Sequence, residues 1–215
     1  MKRTCFFICL LSILFFSQDN QAQNKFHAEV NGGIVGNNVL GQNELSYWPD
    51  GWTSGIGLKY SLIPEVEIGV NASYSNLRFD NNRVGIIAPA VCCYRYEVTG
   101  NNAKVYETAL SVQLNSMPDF FIRPYFTFRT GIYFIKKGEV YINSYEFNSL
   151  AKTNGNVGTF GDSGMNFTKI FAGAGIGLTV RFTNRFELRT QVMITGALGG
   201  GQTFLPITTG INCGF

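Results

Sequence analysis

The chain has 215 residues, enough for a single all-β domain, and it is rich in Gly (25), Phe (19) and Tyr (10) while only 14% of it is charged. A formal charge of +3 with no basic cluster excludes a nucleic-acid surface. A mean hydropathy of +0.05 excludes a bundle of transmembrane helices.

The chain begins with the layout of a secretory signal: Lys2 and Arg3, then an apolar stretch at 6–16 broken only by Ser12, then polar residues up to a cleavage site after Ala22. That stretch of 11 residues is short against the roughly 20 a spanning helix needs. Cys9 follows the bulky Ile8, which argues against lipoprotein processing. Residues 1–22 therefore read as a cleaved signal peptide and 23–215 as one barrel domain. Setting aside Lys2, Arg3 and Asp19 leaves 15 basic residues against 13 acidic ones, close to neutrality.

From Phe26 onward the chain runs in stretches of about ten residues that alternate apolar and polar, as strands with two different faces must. The first sets Phe26, Ala28 and Val30 against His27, Glu29 and Asn31. The second and third place Ile56, Leu58, Tyr60 and Val66, Ile68, Val70 opposite Gly57, Lys59 and Glu67, Gly69, Asn71. The fourth opposes Tyr106, Leu110 and Val112 to Glu107, Ser111, Gln113 and Asn115. In the fifth, Ile122, Phe126 and Phe128 oppose Arg123, Tyr125 and Arg129. The sixth sets Ile170, Ala174, Ile176 and Leu178 against Lys169, Gly175, Gly177 and Arg181. The seventh sets Phe186, Leu188 and Val192 against Glu187, Arg189 and Gln191, and the eighth runs from Ile207 to Phe215.

The connections alternate as well. Pro64–Glu65, Met117–Pro118–Asp119 and Thr183–Asn184 are tight turns with the residue types turns favour. The others, around 35–52, 76–104 and 135–164, are long and polar, and the one at 196–203 is Gly-rich. Short turns at one end and long loops at the other predict an antiparallel up-and-down transmembrane β-barrel of eight strands. Ten strands remain open if the second or third long loop holds another hairpin.

One face of these strands is apolar almost throughout. The other carries Glu29, Lys59, Glu67, Glu107, Arg123, Arg129, Lys169, Arg181, Glu187 and Arg189 among glycines. An Arg or Lys facing lipid at the bilayer midplane costs about 2–4 kcal/mol, so the charged face turns inward. An eight-stranded interior is just wide enough for side chains to fill, and the charges read as a salt-bridged plug. Aromatic residues near the strand ends suit interfacial girdles: Phe26, Tyr60, Phe182 and Phe186 at one rim, Trp52, Tyr74, Tyr106 and Phe134 at the other.

These features together resemble the eight-stranded outer-membrane barrels related to the outer membrane protein A transmembrane domain and the OmpX-type proteins. The resemblance spans nearly the whole mature chain. Arg123-Pro124-Tyr125-Phe126 and Gly173-Ala174-Gly175-Ile176-Gly177 are similar to segments of that family, and its most specific element is the end. There Ile207, Thr209, Ile211, Cys213 and the terminal Phe215 match the signal that the barrel assembly machinery reads. Cys213 stands where the family has a bulkier residue, which weakens the signal. The resemblance implies a bacterial outer-membrane location, contact with outer-membrane lipid, and periplasmic N- and C-termini.

Chemistry is sparse. His27 is the only histidine, and it falls on the inward face at the turn side, where a packed, hydrogen-bonded role fits better than catalysis. Cys92, Cys93 and Cys213 show no metal-ligand spacing, and neither glycine-rich stretch has the strand-turn-helix context of a phosphate loop. No catalytic residue, metal or cofactor is assigned. The long loops hold Trp48, Trp52, Tyr94, Tyr96, Tyr141 and Tyr145, candidate contacts for an extracellular protein or glycan, or for packing among the loops themselves. The expected function is a non-enzymatic, porin-like barrel with an occluded lumen and loops serving binding, adhesion or envelope structure. Alternatives are a narrow channel for small solutes or ions, a lipid-modifying enzyme, and a secreted soluble barrel.

Overall fold

A computed structural model describes residues 25–37, 45–83, 94–116, 120–147, 151–159, 164–183 and 185–215. The leader lies outside them, as do Cys92 and Cys93. Eleven strands follow in order: β1 (Phe26–Asn37), β2 (Asp50–Ile63), β3 (Val66–Arg78), β4 (Tyr94–Gly100), β5 (Ala103–Asn115), β6 (Ile122–Lys136), β7 (Val140–Phe147), β8 (Ala151–Thr159), β9 (Asn166–Arg181), β10 (Phe186–Ala197) and β11 (Thr203–Gly214).

Eight of them close an antiparallel barrel in the order β1-β11-β10-β9-β6-β5-β3-β2. The seam pairs the two ends of the chain, from His27 opposite Gly214 to Asn37 opposite Phe204. Closure leaves no unpaired edge in lipid, where an unsatisfied backbone group is costly. The alternating pattern sets the register, since a slip of one residue would turn every charge outward. Ile56, Leu58, Val70, Leu110, Phe126, Phe128, Ile176 and Ile211 are exposed on the outside, while Glu29, Lys59, Glu67, Glu107, Arg123, Glu187 and Arg189 are buried within. A continuous exposed apolar belt around a polar interior is a membrane-facing surface, the inverse of a soluble barrel.

At the β9–β10 turn the Thr183 hydroxyl accepts from the backbone N–H groups of Arg185 and Phe186. At the opposite end, Gly199, Gly200 and Gly201 all have positive φ (96°, 85° and 98°), which explains the glycine run between β10 and β11.

The second and third long connections do contain strands, but these do not widen the barrel to ten. β4, β7 and β8 form a separate three-stranded sheet in the order β4-β7-β8. β4 runs almost directly into β5 and β6 into β7, so the β4–β7 ladder continues the β5–β6 ladder beyond the barrel mouth. Buried Val98 and Val140 seat this sheet on the apolar cluster in the mouth.

Candidate functional site

The barrel interior is built in three storeys, each from positions that alternation turns inward. In the storey nearest the turns, the Arg189 guanidinium forks onto Glu67 (2.9 and 3.1 Å) and also donates to Glu187 (3.2 Å) and to the Gln113 carbonyl (3.1 Å). Lys59 Nζ donates to Glu29 at 2.5 Å and to the same Gln113 oxygen at 3.1 Å. Arg123 donates to Glu187, and Arg181 lies 3.6 Å from it at the turn-side margin. Amides complete the lattice: Asn31 donates to Glu29, Asn115 to Glu67 and Asn212 to Glu187. His27 sits at the edge, its Nε2 3.2 Å from the Ser61 hydroxyl and its Nδ1 3.3 Å from the Asn212 amide, so that both ring nitrogens are engaged.

The middle storey holds a pair of its own, Arg129 donating to Glu107 at 3.1 Å. Beside it is a cavity of about 30 Å³ lined by Glu107, Arg129, Asn71, Tyr133, Gln191 and Thr208, room for little more than a few waters.

The third storey, on the loop side, is apolar. Residues 45–48 fold back into the mouth, tied by Asn37 Nδ2 donating to the Leu45 and Trp48 carbonyls. Trp48 is 1% exposed; its Nε1 donates to the Asn101 carbonyl at 2.8 Å, and its ring packs on Phe79. Across the bore, Tyr133 stacks on Phe171 at 4.0 Å and meets Phe204 edge-on at 5.1 Å, while its hydroxyl donates to Thr195. Val35, Leu77, Val105 and Ile135 fill the rest.

The ten charged residues assigned to the interior thus divide. Glu29, Lys59, Glu67, Arg123, Arg181, Glu187 and Arg189 form one lattice, Glu107 and Arg129 a separate pair, and Lys169 lies at the loop-side end of β9 with its Nζ 5.8 Å from the Phe167 ring. Four enclosed carboxylates (Glu29, Glu67, Glu107, Glu187) face four enclosed cations (Lys59, Arg123, Arg129, Arg189), so the enclosed charges balance, and the more exposed Arg181 adds one positive charge at the turn-side margin. The apolar cap is what sequence reasoning misses. Its signal is a loss of alternation near the loops, where both faces turn apolar at Phe134-Ile135 and Ile170-Phe171-Ala172.

The loop aromatics separate likewise. Trp48 points into the cap rather than to the surface. Trp52 is on the outer wall of β2, 5.3 Å from Tyr74, which lies 5.2 Å from Tyr106, so it belongs to the loop-side girdle and to no loop. Phe26, Tyr60 and Phe215 form the turn-side counterpart. Tyr141 is on β7, donating to Glu139, a bond that holds its proton and raises its pKa above the ordinary tyrosine value. Tyr94 and Tyr96 lie on β4 and Tyr145 on β7, with side chains outside the described residues. Among the described residues no group of three or more His, Cys, Asp and Glu is placed to hold a metal, and Cys213 has no disulfide partner.

A closed eight-stranded wall, apolar outside and filled with paired charges inside, is the fold of the eight-stranded outer-membrane β-barrels. The crystal structure of Neisserial surface protein A is similar, with a TM-score of 0.55 at 12% identity, over 88% of this chain and 97% of that one. A major outer membrane protein from Thermus thermophilus gives a TM-score of 0.50 at 10% identity, over 89% of this chain and 99% of that one. The N-terminal barrel domain of OprF from Pseudomonas aeruginosa gives 0.47 at 17% identity, over 89% and 99%. At these identities the likeness is one of fold. No family's sequence model matches the chain, and no curated protein matches it.

Proposed function

We propose that this chain, freed of residues 1–22, resides in a bacterial outer membrane as a sealed, non-enzymatic barrel that works through its loop end. The observation that carries this reading is the filling of the bore at two levels: an ionic lattice whose enclosed charges balance on the turn side, and an apolar cap on the loop side. Side chains packed across the bore at both levels favour exclusion of solute, and balanced charges give no ion selectivity to exploit.

The β4-β7-β8 sheet supports the second half of the reading. It braces two of the long connections on a rigid wall, the arrangement in which loops generally carry binding. Extracellular proteins or glycans are the partners it suits, with both termini in the periplasm and the terminal Phe215 segment read by the barrel assembly machinery.

Planar-bilayer recording of the refolded chain tests the seal. Inserted protein without discrete conductance is the expected result. Unitary current steps that change when Glu107 or Arg129 is neutralised would replace this reading with that of a narrow channel.

A further inference from the structure

The outer wall carries one polar row that the sealed lumen does not explain. Just outward of the loop-side girdle, Asn76 on β3 pairs with Lys104 on β5, Lys104 with Lys136 on β6, and Lys136 with Asn166 on β9. All four occupy outward positions, and both lysines are exposed. The row lies two residues beyond Tyr74, Tyr106 and Phe134 on the same strands. At about 3.3 Å per residue along strands tilted by about 35–45°, it therefore stands roughly 5 Å outside the girdle. A bilayer of about 40–45 Å with a core of about 30 Å puts its headgroups at that depth.

Two lysines directly opposite across an antiparallel pair have Cβ atoms about 5 Å apart and repel one another. The nearby Arg78 is neutralised by Asp50 at 3.1 Å, but among the described residues neither Lys104 nor Lys136 has a carboxylate partner. The charge is also confined to this wall: the corresponding outward positions of β1, β10 and β11 (Ile34, Gly36, Ile194, Gly196, Thr203, Leu205) carry no cation. A juxtaposed cation pair with an amide donor on each side, at headgroup depth, is complementary to a phosphate group.

We propose that Lys104 and Lys136, flanked by Asn76 and Asn166, hold a phosphate of an outer-leaflet lipid against the β3–β5–β6–β9 wall. The inference rests on the reading that the loop end faces outward. The bound anion bridges the two ammonium groups and removes their repulsion, so this face recruits a phosphorylated lipid as part of the folded unit.

The test places the refolded chain in phosphatidylcholine nanodiscs doped with bisphosphorylated lipid A or with its dephosphorylated form. Lipid retained on the barrel is read by native mass spectrometry. Wild type is expected to retain the phosphorylated form preferentially, K104Q/K136Q to lose roughly fivefold of that preference per lysine, and K104R/K136R to keep it. K25Q, at the turn-side rim, leaves it unchanged. Inorganic phosphate in solution should not displace the lipid, and displacement would overturn a membrane-lipid site in favour of a soluble anion site.

Stability gives a second readout that a purely structural role would not produce. Lys136→Gln is expected to stabilise the barrel in neutral micelles, by relieving repulsion, and to destabilise it in lipid A nanodiscs. Equal preference in wild type and K104Q/K136Q overturns the proposal while leaving the barrel reading intact. A chain that inserts into neither bilayer overturns both.

Discussion

Arg189 is the residue on which the interior turns. It is 2% exposed and contacts Glu67, Glu187 and Gln113, with Glu29 3.9 Å away. Arg189→Met strands carboxylates in a dry lattice, and breaking a buried pair on one side costs about 3–5 kcal/mol. Arg189→Met with Glu67→Leu keeps the charges balanced, because Lys59 still answers Glu29 and Arg123 still answers Glu187. The double variant is expected to recover most of the loss in urea unfolding from micelles; equal losses in both would mean that the lattice is not coupled through charge. At this scale the sequence was readable where chemistry is loud. A Glu or Arg on a strand of alternating pattern can only point inward, but Gln113, Asn115 and Asn212, which stitch the carboxylates together, look no different from any other polar strand residue. Gly177 was legible as a strand glycine but its purpose was not: a Cβ there would lie 2.3 Å from Tyr125 Cζ, so it makes room for the tyrosine ring.

Among the elements, the eight barrel strands were legible because lipid on one face and a crowded bore on the other impose a period of two. β4, β7 and β8 form a separate sheet outside the barrel wall, where that period is not imposed. Register shifts between Glu97 and Val98 and between Ile142 and Ser144 break their alternation, and β8 (AKTNGNVGT) has almost no apolar face. Such a sheet exists because β5 and β6 hand it a ready-made ladder, and no pattern local to the loops records that. The β10–β11 connection is the opposite case, where local chemistry decides. With φ of 85° and no neighbour within 4 Å of an added Cβ, Gly200 is required by backbone conformation and not by space. Gly200→Val is therefore expected to destabilise the barrel by roughly 1–2 kcal/mol. Gly200→Asn should cost clearly less, since Asn tolerates a positive φ; equal stability of the two variants in urea would show that the loop simply rearranges.

For the whole molecule, the assembly role proposed for Phe215 is separable from its contribution to stability. Phe215 is 65% exposed and stacks on Phe26 at 6.3 Å, beside a seam already bonded through the backbone. Phe215→Ala is expected to cost about 1 kcal/mol in refolded protein yet to slow assembly in cells severalfold, measured by the appearance of heat-modifiable barrel. Conductance makes a stronger demand, because the two proposed seals are in series along one bore. Trp48→Ala loosens the apolar cap, at about 3–5 kcal/mol for a buried aromatic, but leaves the lattice closed. Arg189→Ala with Glu67→Ala thins the lattice without unbalancing it, but leaves the cap dry. Each is expected to stay silent in planar bilayers, and only the combined variant to pass small ions. Current through the lattice variant alone would mean that water already crosses the cap, and that the seal is one storey deep rather than two.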